Sequence, residues 1–296
     1  MKTYQNNTVS LSSLLIDCLK LLLAIFVIGI HVGKICDFKW PTFIDFLFGL
    51  AVPCFFAISG YYQTNRLDRD TLLKSVKKYV NIYIKWMIVY IPFGIFYYCK
   101  HSMSATDSIR DYIHGFAILG ETPMTWHLWY IHAMILVLLY CLLIKLLINK
   151  RGQCMYVFVL CIVSSTLLAI YVYFSPFSDD YTIFLGLNKF QNSLFCGLPC
   201  FCAGVLGGVF LRSKIEKKEP HITLIKAVLY LRDLSKWCYF IHMIIVFMLR
   251  GRISDPYVYW MIASLCTIII SVNLIILNKY AKYVKCKSTH KSASCF

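Results

Sequence analysis

The run Leu14-LIDCLKLLLAIFVIGIHV-Gly33 decides the architecture. A membrane-spanning helix needs ~20 mostly apolar residues, because lipid offers backbone polar groups no partner outside the helix itself. This run has that length, yet it carries three ionisable residues, Asp17, Lys20 and His31. Eleven residues separate Lys20 from His31. At ~100° per residue both fall on one helix face, ~16 Å apart along the axis. Asp17 stands three residues before Lys20, within pairing distance on the same face. Ionisable groups are expensive in a spanning helix, so a stripe of three should face a protein cavity and mark a functional site. Gly29 and Gly33 lie on the opposite side, where small residues let a neighbouring helix approach. A blander reading has Lys20 snorkelling to the inner surface beside Asp17, with His31 interfacial.

Outward from this helix the same reading repeats. Apolar segments at 12–34, 43–62, 79–99, 127–148, 155–174, 193–211, 234–250 and 257–277 predict eight spans. The seventh is short, and Ile222 to Arg232 before it is amphipathic and suits the membrane interface. In the 296-residue chain 59% of residues are hydrophobic and 15% charged, with mean hydropathy +0.66. Soluble domains carry about 25% charge, so the fold class is an all-α polytopic membrane bundle, and disordered, collagenous, coiled-coil and small secreted classes are excluded. Asp17 and Lys20 interrupt the first apolar run and no small-residue cleavage site follows His31, so no cleavable leader is expected.

The net charge of +16 follows from topology. With the N-terminus inside, eighteen Lys and Arg fall on inner loops and seven on outer ones, as cytoplasmic enrichment of basic residues requires. Both termini are then cytoplasmic and no nucleic-acid partner is needed to explain the charge. The expected organisation is a cytoplasmic segment at 1–10, a membrane domain at 11–278 and a basic cytoplasmic tail at 279–296. The 14 Cys include no CxxC pair and read as small core residues; Cys196 and Cys200, a turn apart in apolar surroundings, do not suggest a metal.

Three other stretches combine polarity with membrane level. Trp126-His127-Leu128-Trp129-Tyr130 opens the fourth span; an aromatic belt accounts for its rings, while His127 adds a polar group near the level of His31. Ser235 and His242, seven residues apart, share a face of the seventh span, where a helix–helix hydrogen bond is the simpler role. Asn65 to Lys85 is a basic loop whose Lys74, Lys77, Lys78 and Lys85 reach into the next helix. It obeys the charge bias of inner loops, and it also suits the phosphates of a nucleotide-type donor. No phosphate-binding G-x-x-x-x-G-K-[ST], no G-x-S-x-G nucleophile elbow and no H-E-x-x-H metal motif is present.

Six stretches, in order, resemble the integral-membrane acyltransferase-3 family, bacterial enzymes that O-acylate surface carbohydrates. They are Lys20-LLLAIFVIGI-His31, AVPCFFAISGYY from Ala51, Lys74-Ser-Val-Lys77-Lys78-Tyr79, WHLWYIHAMI from Trp126, GLPCFCAGVLGG from Gly197, and Leu234-SKWCYFI-His242. The resemblance runs from residue 14 to about 277. The chain is also similar to the membrane half of vancomycin-resistance serine racemases, regarded as a serine-uptake module. It departs from the family in having eight expected spans where ten are usual, the gap falling between Arg212 and Leu234. It also carries lysines where the family has its basic R-x-x-R.

The resemblance implies a transferase in the bacterial plasma (inner) membrane. It would move an acyl group, acetyl first of all, from cytosolic acyl-CoA to a hydroxyl of a surface glycan or glycan-lipid, as in exopolysaccharide biosynthesis. His31 is then the general base or acyl relay, the role an imidazole beside a cavity suits. Lys20 with Asp17 orients the donor thioester or offsets charge along the shaft. Lys74, Lys77 and Lys78 hold the CoA phosphates, and His127 and Trp129, with Ser235 and His242, border the acceptor. No metal is expected. Two other readings stand beside it: a transporter of a small solute such as serine, and an inactive family member.

Overall fold

The computed structural model describes residues 11–148, 156–163, 194–212 and 222–292. Among them every regular element is helical. In chain order these are α1 (Leu11–Cys36), α2 (Thr42–Gly49), α3 (Ala51–Gln63), α4 (Arg69–Lys100), α5 (Ala105–His114), a π turn (Gly115–Leu119), a 3-10 turn (Trp126–Leu128) and α6 (Trp129–Leu147). Helical residues 156–163 (α7), α8 (Leu194–Arg212), α9 (Ile222–Leu249) and α10 (Pro256–Ser292) follow.

Five segments among the described residues are long and apolar enough to cross a membrane: Ser13–Cys36, Thr42–Gln63, Arg69–Lys100, Trp126–Leu147 and Pro256–Val284. The protein is thus an all-α polytopic helix bundle. The other three expected spans differ for separate reasons. Most of 155–174 lies outside the described residues. The apolar part of α8 is the shorter Gly197–Leu211. The seventh span does not stand alone: Ile222 to Leu249 is one continuous helix, so the amphipathic stretch before it is no separate interfacial element. Arg232, Asp233 and Lys236 at its middle depart from an apolar span. The basic cluster is also relocated from loop to helix. Asp68 caps α4 by accepting from the Thr71 N–H (2.9 Å), so the helix begins well before residue 79 and Lys74, Lys77, Lys78 and Lys85 all lie on it, exposed. The same hydrogen bond holds the Asp68 carboxyl below the usual carboxylate range. At the other end of the chain, α10 stays helical to Ser292, through most of the expected tail.

The chain divides into two compact units, Met1–Ala51 with Glu216–Phe296, and Val52–Ile215. In the first, α1, α9 and α10 pack together. Asp17 meets Arg232 near one end of α1, and His31 meets His242 near the other. The residue numbers rise together, so α1 and α9 run parallel. In contrast, α10 runs antiparallel to α9: the Tyr259 hydroxyl donates to the Val246 carbonyl, and Lys279 lies over the Tyr230 ring. The Trp260 indole N–H donates to the Ile25 carbonyl (3.0 Å), tying α10 to α1. The far side of α1 takes aromatic rings. Phe48 of α2 fills the space at Gly29 and Trp40 the space at Gly33, with the Trp40 N–H donating to the Gly29 carbonyl (3.0 Å). A Cβ on either glycine would overlap those rings.

In the second unit, three glycines meet backbone or a hydroxyl. A Cβ at Gly60 would strike the Phe201 carbonyl, one at Gly204 the Ala57 carbonyl, and one at Gly208 the Thr64 hydroxyl. Thr64 also donates to the Val205 carbonyl (3.1 Å). Since lipid is as apolar as a leucine side chain, helices gain little by hiding apolar surface here; close packing and interhelical hydrogen bonds decide the contact. The stretch 101–128 turns back along α4: Tyr98 donates to Asp111 (2.8 Å), Tyr112 to the Met87 carbonyl (3.3 Å), and Tyr83 to the Phe116 carbonyl (2.7 Å). Gly120, at φ 73°, ends the π turn in a left-handed conformation that suits glycine.

Candidate functional site

The stripe on α1 faces protein. Asp17 is fully buried and His31 is 5% exposed. The Asp17 carboxylate holds two cations, each on its own oxygen: Lys20 Nζ at 2.9 Å from Oδ1, and Arg232 Nη2 and Nε at 3.1 and 3.2 Å from Oδ2. An isolated buried carboxylate costs several kcal/mol, a cost that the two paired cations offset. Arg232 is half exposed and Lys20 mostly covered, so the cluster opens from the Arg232 side.

At the other end the His31 and His242 rings lie 5.3 Å apart between centroids, tilted by 31°. His242 is wholly buried. Its Nδ1 stands 2.7 Å from the Tyr239 carbonyl and 3.2 Å from that of Cys238. A carbonyl can only accept, so Nδ1 carries the proton and the neutral ring keeps Nε2 as its acceptor nitrogen. Ser235, between the two ends, donates to the Arg232 carbonyl (3.2 Å) and is buried. The structure therefore brings five sequence-derived residues together along one helix pair: Asp17, Lys20 and His31 on α1, and Ser235 and His242 on α9. It adds Arg232, which the sequence offered only as the end of the amphipathic stretch before the seventh span. The signal was there: Arg232, Ser235, Tyr239 and His242 recur at i, i+3, i+7 and i+10, a second polar stripe matching the first.

The remaining candidates belong to the second unit. His127 is buried with its ring 5.1 Å from that of Tyr90, and Trp129 is buried against Phe56 (6.4 Å). Tyr130 interlocks with α3: its hydroxyl lies 3.2 Å from that of Ser59, and its ring 4.7 Å from Phe56. Gly197 of α8 faces the same Phe56 ring. The stretches AVPCFFAISGYY, WHLWY and GLPCFCAGVLGG thus meet in one packed cluster, which gives their small and aromatic residues a framework role. Lys74, Lys77 and Lys78 share one exposed face near the start of α4.

The described residues thus form a polytopic helix bundle with a charged and imidazole-bearing seam on its first helix. A family model for an acyltransferase domain, that of the acyltransferase-3 family, matches residues 14–225. The chain belongs to that family and is a multi-pass membrane acyltransferase. The match covers the α1 stripe and all second-unit candidates, and stops short of Arg232, Ser235 and His242, which geometry alone joins to the seam. No curated protein and no solved structure matches the chain.

Proposed function

We propose that the protein moves an acyl group, acetyl in the first instance, from cytosolic acyl-CoA to a hydroxyl of a surface glycan or glycan-lipid, in the plasma membrane of a bacterium. The observation that carries this reading is the buried His31, its ring 5.3 Å from that of His242 on a helix pair whose opposite end holds the Lys20–Asp17–Arg232 cluster. His31 takes the proton of the acceptor hydroxyl as its oxygen attacks the thioester carbonyl carbon. The tetrahedral intermediate collapses with cleavage of the C–S bond, and the proton passes to the departing thiolate of CoA. His242 holds His31 in place through ring contact, its own tautomer set by the Tyr239 and Cys238 carbonyls. Lys20 and Arg232 attract the anionic donor. Lys74, Lys77 and Lys78 add point charges for its phosphates. His127 and Trp129 keep the part in acceptor binding that the resemblance implies.

The test uses the purified full-length chain in proteoliposomes, radiolabelled acetyl-CoA and a surface polysaccharide acceptor. General acid–base groups contribute about 10²–10⁴-fold, so His31→Ala should lower acceptor-dependent CoA release by at least ~100-fold while the protein still accumulates in the membrane. Activity surviving that change removes His31 from the mechanism. Uptake of labelled serine by vesicles without acyl-CoA, in place of any CoA release, replaces the enzyme reading with transport.

A further inference from the structure

The second unit holds a cavity that none of the candidates above occupies. It measures about 260 Å³ and is lined by Tyr97, Asp111, Glu121, Thr122, Pro123 and Trp126, where α5 and its π turn fold back beside α4. We propose that this cavity binds one neutral sugar ring of the acceptor, with Trp126 and Tyr97 as the stacking faces and Glu121 and Asp111 as hydroxyl acceptors.

Three features of the cavity lead there. Its size lies just below the ~300 Å³ at which ligand pockets usually begin, which suits a single ring. Its chemistry pairs two aromatic side chains with two carboxylates. An aromatic ring covers the C–H face of a sugar, and an ionised carboxylate, which accepts only, takes hydrogens from its hydroxyls. Its walls are also fixed before any ligand arrives. Tyr98 donates to Asp111 at 2.8 Å, leaving that carboxylate further acceptor sites. The Thr122 N–H donates to the Thr125 hydroxyl oxygen (2.6 Å), and the two threonine hydroxyls lie 2.9 Å apart, which pins the turn leading to Trp126. Preorganisation of this kind lowers the cost of binding.

Position supports the same occupant. Lys78 and Tyr97 are nineteen residues apart on the continuous α4, about 28 Å at 1.5 Å per residue. That is close to the ~30 Å of a bilayer's hydrocarbon core. The lysine face and the cavity therefore sit toward opposite membrane surfaces, the arrangement required if a cytosolic donor meets an acceptor on the outer side. The cavity deepens the function proposed above and rests on it for the identity of the acceptor.

The experiment separates the two. Binding of tritiated methyl glycosides of glucose, galactose, rhamnose and N-acetylglucosamine to the full chain in detergent is measured by equilibrium dialysis without acetyl-CoA. At least one should bind, about tenfold more weakly to Trp126→Ala and to Glu121→Gln, and with near wild-type affinity to Trp126→Phe, which keeps a ring and guards against misfolding. In the transfer assay the same two variants should raise KM for the matching sugar about tenfold, with KM for acetyl-CoA unchanged. No binding of any of the four sugars, or binding that both variants leave intact, overturns the proposal. Binding of labelled serine instead of sugar overturns it in favour of an amine site. Loss of CoA release in His31→Ala with sugar binding unchanged leaves the cavity standing whatever becomes of the acyl-transfer chemistry.

Discussion

Asp17 is the residue on which the first unit's polar seam depends. It has no exposure and holds two cations, so the three side chains are energetically unequal. Removing either cation leaves the carboxylate with the other. Removing the carboxylate's charge takes this partner from both. Breaking a buried pair by deleting one partner typically costs about 3–5 kcal/mol, less where the group left behind can reach solvent, as Arg232 can. Asp17→Asn should therefore destabilise the protein by about 2–4 kcal/mol, more than Lys20→Gln or Arg232→Gln. Adding Arg232→Gln to Asp17→Asn should cost little more, or recover part of the loss, because it removes a charge that has already lost this partner. Thermal unfolding of the four variants in detergent checks this ordering; an Asp17→Asn protein as stable as Arg232→Gln would show that the ion cluster contributes no more than its separate parts.

Among the helices, glycine placement on α8 gives the sharpest contrast. Gly204 presses on the Ala57 carbonyl of α3, while Gly207, three residues on, has nothing within 4 Å of an added Cβ. Gly204→Ala should force the helices apart, at a cost of about 1–3 kcal/mol and with lower accumulation in the membrane. Gly207→Ala should be neutral or slightly stabilising, since alanine restricts the unfolded chain and favours helix. Equal melting temperatures for the two variants would mean that α3 and α8 do not cross at Gly204. This contrast also marks what the sequence made legible. Length and apolarity located α1, α3, α6 and the core of α10, and the spacing of Asp17, Lys20 and His31 located their common face. Helix starts were less legible, because an apolar window stops at charge: α4 begins at Arg69, announced only by the Asp68-x-x-Thr71 cap, and α9 begins at Ile222 despite its charged middle. Arg232 was only half legible: its stripe with Ser235, Tyr239 and His242 can be read locally, but its partner Asp17 lies 215 residues away. The ring-filled side of α1 was misjudged for a different reason: Gly29 and Gly33 announce space but not whether backbone or an aromatic ring will fill it.

For the molecule as a whole, sidedness is the property that ties the basic residues to the reaction. The proposed reaction, with a cytosolic donor and a surface acceptor, requires groups at both faces, and the distribution of lysine and arginine predicts which face is which. By that bias the exposed Lys74, Lys77 and Lys78 near the start of α4 should face the cytoplasm, and the turn after Lys100, with Ser104, should emerge outside. An epitope inserted between Met103 and Ser104 should be reached by antibody on intact spheroplasts. One appended after Phe296, beyond Lys279, Lys282, Lys285, Lys287 and Lys291, should be reached only after permeabilisation. Replacing Lys74, Lys77 and Lys78 by glutamine should weaken donor capture, read as a higher KM for acetyl-CoA with KM for the sugar unchanged, since a phosphate-facing lysine acts as a point charge on the donor alone. If the Met103 insertion is shielded in intact spheroplasts and the C-terminal epitope exposed, the lysines face the surface and cannot meet a cytosolic donor. The cavity at Trp126 would then open to the cytoplasm, and an acceptor on the cell surface would be ruled out.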